Sequence, residues 1–255
     1  MNQLIISLVF VVFSLLIVYL LLHYDKGEKE PTKALFIAAG FGLMGIVVAY
    51  FIEHNLFLAS NLTTVNGLGS LFINNIWIGA IEEACKFIPL AIYIYRKPYF
   101  NAHIDGIIYF AIAGLSFGLP ENILYTINYG SSVGISRLIL TPIFHASLTG
   151  MVGYFLAKFK VEHNNPWKVI YFFLLAIALH AIYDFGLLSG NNDLSLVSVT
   201  ITLLLSISLF YLYIRATDLD RSAGLSAVGN NKYCRNCGKI NKMHHIYCVY
   251  CGTEA

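Results

Sequence analysis

Charge is scarce in this chain. Asp, Glu, Lys and Arg make up 12% of its 255 residues, against 58% hydrophobic residues. A soluble domain of this length carries about twice that share of charge, so a soluble globular fold is excluded and a polytopic membrane protein is expected. Cysteine is nearly absent until the end. Cys85 stands alone within an apolar stretch, and the other four lie in the last 22 residues. That distribution excludes a disulfide-stapled secreted fold and points to a metal framework. A net charge of +2 is too small for a nucleic-acid footprint. The first apolar segment has no basic stretch before it and no small-residue cleavage site after it, so it reads as a retained span rather than a signal peptide. Neither internal repeats nor low-complexity tracts are present.

What is there, instead, is seven apolar segments of membrane length. A span needs about 20 residues. Counting on that basis gives Leu4–Leu22, Ala34–Ile52, Asn75–Tyr95, Ile104–Ile127, Leu138–Phe159, Val169–Leu188 and Leu194–Ile214. Each is expected to be a helix, because a helix satisfies its own backbone in lipid. The expected fold class is therefore an all-α membrane protein with about seven transmembrane helices and a small C-terminal zinc ribbon. Residues 1–214 form the membrane domain, 215–231 a linker and 232–255 the ribbon. The stretch Asn55–Asn74 reads as a loop, partly re-entrant at most. Basic residues alternate between loops: Lys26, Lys29 and Lys33 in the first, Arg96 and Lys97 in the third, and Lys158, Lys160 and Lys168 in the fifth. Arg215, Arg221 and Lys232 follow the last span, whereas the second and sixth loops have none and the fourth only Arg137. The positive-inside rule then places the N-terminus outside and the C-terminus in the cytoplasm of a cell-membrane protein.

Within these spans sit Glu82, Glu83, Lys86, Glu121, His145, His180 and Asp184. One charge at mid-membrane costs about 3 kcal/mol on insertion scales, so such residues must meet one another or water. The orientation puts all of them in the outer half, with Glu82 and Glu83 roughly 10–12 Å below the surface at about 1.5 Å per residue. Glu82 and Lys86 are four apart, as are His180 and Asp184, so each pair shares a helix face. Asp184 can hold one ring nitrogen of His180, leaving the other for chemistry or a metal. Phe117, four before Glu121, supplies an aromatic wall. Pro89, Pro120 and Pro142 each stand near one of these groups and are expected to bend their helices and open a wet cavity. Taken singly, the bland readings hold. Glu82–Lys86 is a stitching ion pair, His145 an interhelical donor, Cys85 a small apolar residue, Asp105 a first-turn acid matching the helix dipole. Glu53 and His54 snorkel to the outer interface or, alternatively, rim the cavity. Gly114 and Gly118 form a small-residue face for close packing. Taken together at one depth, the residues mark a site. Paired carboxylates suit hydrolysis, one acting as base on a trapped water. Asn122 can donate to an oxyanion. Glu82, Glu83, His145 and His180 can instead ligate a divalent metal such as Zn²⁺. Metal-bound and metal-free chemistry are both open.

These residues resemble the PrsW family of intramembrane proteases, within the wider group that includes the CAAX prenyl proteases. The matching stretches are Glu82-Glu83-Ala-Cys-Lys86, Asp105-Gly106, Phe117-Gly-Leu-Pro-Glu121-Asn122, Phe144-His145 and His180-Ala-Ile-Tyr-Asp184. The resemblance implies peptide-bond hydrolysis in or beside the membrane. It implies Glu82 and Glu83 as bearers of the water-activating carboxylate, Glu121 as a second acid and Asn122 as oxyanion donor. His145 and His180 follow as metal ligands or transition-state donors, with Asp184 orienting His180. It also implies a membrane-anchored, single-pass signalling protein as substrate, since family members are linked to cleavage of anti-sigma factors at the outer face. The alternatives are a proton- or ion-coupled transporter and a non-catalytic scaffold. Both use buried acids and histidines, but the first predicts a repeat symmetry that is not seen.

The C-terminal tail adds two knuckles, Cys234-Arg-Asn-Cys237-Gly and Cys248-Val-Tyr-Cys251-Gly. Four thiolates at that spacing are a structural Zn²⁺ site, and so small a module needs the metal to fold. His244 and His245 are spare. Lys232, Arg235, Lys239 and Lys242 form a basic face suited to a cytoplasmic protein partner or to the lipid bilayer; nucleic acid is not expected.

Overall fold

A computed structural model of the chain describes residues 2–25, 27, 29–60, 67–163, 165–223, 231–234, 236–237, 240–242 and 246–254. Among them are eight helices and one small sheet: α1 (Gln3–Tyr24), α2 (Thr32–Ser60), α3 (Leu68–Ile94), α4 (His103–Tyr129), α5 (Ser131–Arg137), α6 (Leu140–Glu162), α7 (Trp167–Leu188), α8 (Asn192–Ser222), β1 (Asn231–Tyr233) and β2 (Ile240–Lys242). The all-α expectation holds. Six helices are long and apolar enough to cross a membrane: α1, α2 over Thr32–Leu56, α4, α6, α7 and α8. α3 has the length, 27 residues, but Glu82, Glu83 and Lys86 interrupt its apolar run. The faces turned outward are greasy. Phe36, Val47, Tyr171, Ile207 and Phe210 are each more than 60% exposed, which only a lipid environment tolerates in such numbers. The chain is a multi-pass membrane protein.

Several boundaries differ from the sequence reading. α2 runs on to Ser60 and α3 begins at Leu68, so most of Asn55–Asn74 is helix rather than loop. Lys26 lies outside the described residues. The expected fifth span, Leu138–Phe159, is a single helix that starts two residues later, α6 from Leu140, and the short α5 precedes it and ends at Arg137. Pro142 consequently sits in the first turn of α6, where its missing N–H costs nothing, and does not bend a helix as expected; Pro89 and Pro120 are interior. The expected linker from Arg215 is helical as far as Ser222.

α4 and α6 are the centre. Their most apolar windows are 67% and 83% buried, against 17% for α1 and α8. Their backbones touch at Gly106 and Gly153: a Cβ on either would run into the other's carbonyl oxygen. Small residues replace side-chain interdigitation here, as membrane packing favours. The far end of this pair is held by α8. Asp220 accepts from the backbone amides of His103 (2.9 Å) and Ile104 (3.0 Å), capping α4 from another helix. The same carboxylate meets His103 Nδ1 at 2.6 Å, and His103 Nε2 lies 3.2 Å from Glu162. Asp105 accepts from the amides of Asn101 and Ala102, at 2.6 and 2.7 Å, so its first-turn role is structural, as expected. Nothing in the sequence reading pointed to Asp220 or His103, because the partners are over a hundred residues apart.

Candidate active site

Glycine decides which helices can meet at the opposite end. On α4, Gly114 and Gly118 face α6. A side chain at Gly114 would strike the His145 carbonyl, and one at Gly118 would strike the His145 ring. The expected small-residue face therefore seats the imidazole. At Gly130, φ of +91° turns the chain sharply between α4 and α5, a conformation that glycine adopts without strain. α5 then folds back along α4, with Gly134 against Thr126. That return brings Arg137 over Glu121 and Asn122.

The cluster forms around Lys86, which has no exposed surface. Its Nζ lies 2.8 Å from Glu83 Oε1, 3.1 Å from Glu82 Oε2 and 3.1 Å from His145 Nδ1. The Phe117 ring lies beneath it, 4.2 Å away. Glu83 Oε1 also meets His180 Nδ1 at 2.7 Å. The other nitrogen of His180 faces Asp184 at 3.3 Å and Glu82 at 3.5 Å. Thus α3, α4, α6 and α7 bring Glu82, Glu83, Glu121, His145, His180 and Asp184 into one buried network. Two local expectations change. His180 has carboxylates at both nitrogens and is held mainly by Glu83, not by Asp184 alone. Glu83, only 1% exposed, is committed to Lys86 and His180, whereas the Glu82 side chain keeps 9% exposure.

Arg137, read from the sequence only as a loop charge, was missed as a site residue, and Glu53 takes the cavity-rim alternative rather than the interfacial one. Arg137 Nη2 lies 2.5 Å from Glu121 Oε1, and its Nε donates to Asn122 Oδ1 at 2.8 Å. Its guanidinium stacks 4.0 Å above Tyr125. Glu53 does not merely snorkel at the interface: its Oε1 is buried without a partner, and its charge interacts with Glu82, Glu121 and His180. Beside Arg137 opens a cavity of about 420 Å³ lined by Tyr125, Tyr129, Tyr183 and Leu187. Tyr183 stacks on Phe144 at 3.8 Å, and Phe144 borders both histidines.

A metal has a place in this arrangement. Glu82, Glu121 and His145 each offer a ligand atom within 4.8 Å of the others. Glu121 Oε2 and His145 Nε2 are buried with no hydrogen-bond partner, although only 2.9 Å separates them. Unused oxygen and nitrogen atoms that converge in this way are a suitable donor set for Zn²⁺. The converging trio differs from the quartet expected, since Glu83 and His180 are occupied by each other. Lys86 is the competitor. Either His145 Nδ1 accepts from the Lys86 ammonium and Nε2 carries the ring proton, or Nδ1 is protonated and Nε2 is free to ligate.

Against known proteins, the model of the family described as PrsW family intramembrane metalloprotease matches residues 30–213. The chain belongs to the PrsW family. It is similar to Protease PrsW of Halalkalibacterium halodurans, 31% identical over 186 residues that cover 71% of this chain and 84% of that protein. Protease PrsW of Oceanobacillus iheyensis is 29% identical over 200 residues, 78% of this chain and 91% of the relative. Protease PrsW of Bacillus subtilis is 29% identical over 171 residues, 66% and 76%. No solved structure matches. This PrsW-family chain is therefore a membrane-embedded peptidase of the metalloprotease kind, and the transporter and scaffold readings fall away.

Its tail carries a second cluster that could hold a metal, Cys234, Cys237, Cys248 and Cys251. β1 and β2 pair antiparallel, Tyr233 opposite Ile240. Sγ of Cys234 lies 3.4 Å from that of Cys251, and Cys237 pairs likewise with Cys248. Those gaps exceed a disulfide's ~2 Å and approach the ~3.8 Å edge of a tetrahedron with 2.3 Å Zn–S bonds. Hydrogen bonds with Thr253 and with the Cys237 amide hold the Cys234 thiol down to about 5, favouring the thiolate that zinc takes. Gly252, at φ +73°, makes a tight turn after the last cysteine, in a conformation that glycine adopts without strain. The four-cysteine cluster fits a zinc ribbon. Arg235, Lys239, His244 and His245 lie outside the described residues.

Proposed function

We propose that this protein is an endopeptidase that hydrolyses peptide bonds of membrane-anchored proteins near the outer face, with Glu82, Glu83, Glu121, Asn122, His145, His180 and Asp184 as its working residues. The observation that carries the reading is the pair Glu121 Oε2 and His145 Nε2, 2.9 Å apart and buried beside Glu82 with no hydrogen-bond partner from the rest of the network. Five carboxyl groups (Glu53, Glu82, Glu83, Glu121, Asp184) meet, among the described residues, two permanent cations (Lys86, Arg137), which leaves negative charge for a divalent ion to balance.

Glu82, Glu121 and His145 would hold the metal, which when bound polarises a carbonyl and acidifies water. The chain's own groups do the rest. Glu82, the more open of the adjacent acids, would receive the proton of the attacking water on the carboxylate oxygen that does not hold the metal. Glu83 holds His180 by Nδ1, so that Nε2 is presented between Asp184 and Glu82 for proton passage to the leaving amine. Asn122 Nδ2, buried and unpartnered, donates to the carbonyl oxygen as charge builds on it. The tyrosine-lined cavity beside Arg137 admits the substrate backbone from the outer leaflet. The basic loops place the N-terminus outside and the ribbon in the cytoplasm, where it binds structural Zn²⁺ and docks a protein partner.

The test is reconstitution in liposomes with single-span substrates, with and without a chelator. Cleavage that Glu82→Gln and His180→Ala both abolish, in protein that still inserts and folds, is the expected result. Full activity in both variants would remove these residues from the mechanism.

A further inference from the structure

Arg137 bonds two site residues at once. Its Nε takes Asn122 Oδ1, and its Nη2 takes Glu121 Oε1. Each bond decides an orientation. With Oδ1 accepting from Arg137, the amide of Asn122 cannot flip, and Nδ2 is left as its donor. That donor has no partner, in a residue with no exposed surface. Leaving such a group unsatisfied costs about 1–3 kcal/mol, a cost that a bound substrate carbonyl removes. With Oε1 of Glu121 taken, Oε2 is the oxygen turned to His145 Nε2, 2.9 Å away. Arg137 is 7% exposed, and its remaining edge lines the tyrosine cavity. It therefore stands between the space for substrate and the two groups it orients.

We propose that Arg137 is a positioning residue for the hydrolytic site: it holds Asn122 with Nδ2 ready for the substrate carbonyl and Glu121 with Oε2 directed at His145. The proposal rests on the hydrolytic reading above. A lysine cannot replace it. An ammonium is a point charge, whereas the planar guanidinium bonds two acceptors on fixed vectors. A purely charge-balancing residue, by contrast, would be restored by lysine.

The experiment compares wild type, Arg137→Gln, Arg137→Lys, Asn122→Ala and the double variant Arg137→Gln/Asn122→Ala in proteoliposomes with one single-span substrate, measuring kcat and KM separately. Expected is a fall in kcat of roughly tenfold to a hundredfold for both Arg137 variants, with KM unchanged within about twofold. Adding Arg137→Gln to Asn122→Ala is expected to cost less than it does alone, because part of its action runs through the amide. Wild-type kcat in Arg137→Lys, or strictly additive losses, overturns the proposal. The same pair is compared by thermal unfolding with no substrate present. Coupled shifts support the Arg137–Asn122 linkage even where wild type cleaves nothing, an outcome that removes the hydrolytic reading alone. Additive shifts in a protein that does cleave overturn the linkage and leave the hydrolytic reading intact.

Discussion

Lys86 shows how a single side chain can carry a site's electrostatics. With zero exposure, it neutralises two adjacent acids of its own helix and reaches across to His145. Removing one partner of a buried ion pair costs about 3–5 kcal/mol, so Lys86→Met is expected to lower the unfolding temperature measured in detergent. Added Zn²⁺ should recover more of that temperature in the variant than it adds to wild type, since a cation then finds Glu82 uncompensated and His145 Nδ1 uncontested. Equal Zn²⁺ responses would show that lysine and metal do not compete. Gly118 offers a second check. Its substitution by alanine pushes on the His145 ring, so activity should fall about tenfold or more while the helical content measured by circular dichroism is retained. Part of this was legible beforehand. Spacings of three and four set Glu82, Glu83 and Lys86 on one face and His180 with Asp184 on another, as helix geometry requires. Arg137 was not legible, because an isolated arginine between spans looks like an orientation signal, and its partners are reached only through the Gly130 reversal.

Among the elements, the sequence locates where apolar runs stop, not where helices stop. Once nucleated, a helix continues into the interfacial region as long as its residues permit. Hence α2 extends to Ser60 and α8 to Ser222, beyond the hydrophobic boundaries that fix a span count. The short α5 carries no twenty-residue signal at all. The turn between α1 and α2 holds a further consequence. Burial, and then the charge of Asp105, push the Glu30 carboxyl up to about 11; it is hydrogen-bonded to Tyr109 as well. Glu30 lies before α2, outside the apolar spans. Its folded value stands above the ordinary 4.5, so its contribution to stability is complete below about pH 4.5 and is lost as pH rises towards 11. Glu30→Gln imitates the protonated carboxyl. The unfolding temperature of wild type should fall between about pH 5 and pH 9, and the variant should lose that part of the fall. An unchanged slope would mean that Glu30 is ionised in the folded protein.

At the scale of the whole molecule, the two candidate metal sites belong to parts that differ in how they are held. The bundle has an extensive core around α4 and α6, whereas the ribbon's short strands and four thiols need an ion to stay folded. A chelator is therefore expected to release ribbon amides to rapid hydrogen exchange while the bundle's amides stay protected; concerted exchange of both would contradict that independence. Where the tail can be cut follows from Asp220. The hydrophobic boundary alone suggests that everything past Ile214 is dispensable. The structure places Asp220 on the last turns of α8, 2% exposed, closing two amides at the start of α4 and gripping His103. Loss of a cap costs about 1–2 kcal/mol, and here the orphaned amides and imidazole are buried together. A chain ended after Ala223 should keep both wild-type unfolding temperature and cleavage of a model substrate. One ended after Ala216, only seven residues shorter, should unfold several degrees lower, and Asp220→Ala in the full chain should reproduce much of that loss. Identical stability of the two truncations would show that α8 beyond Ala216 is a passive extension and that α4 is held without it.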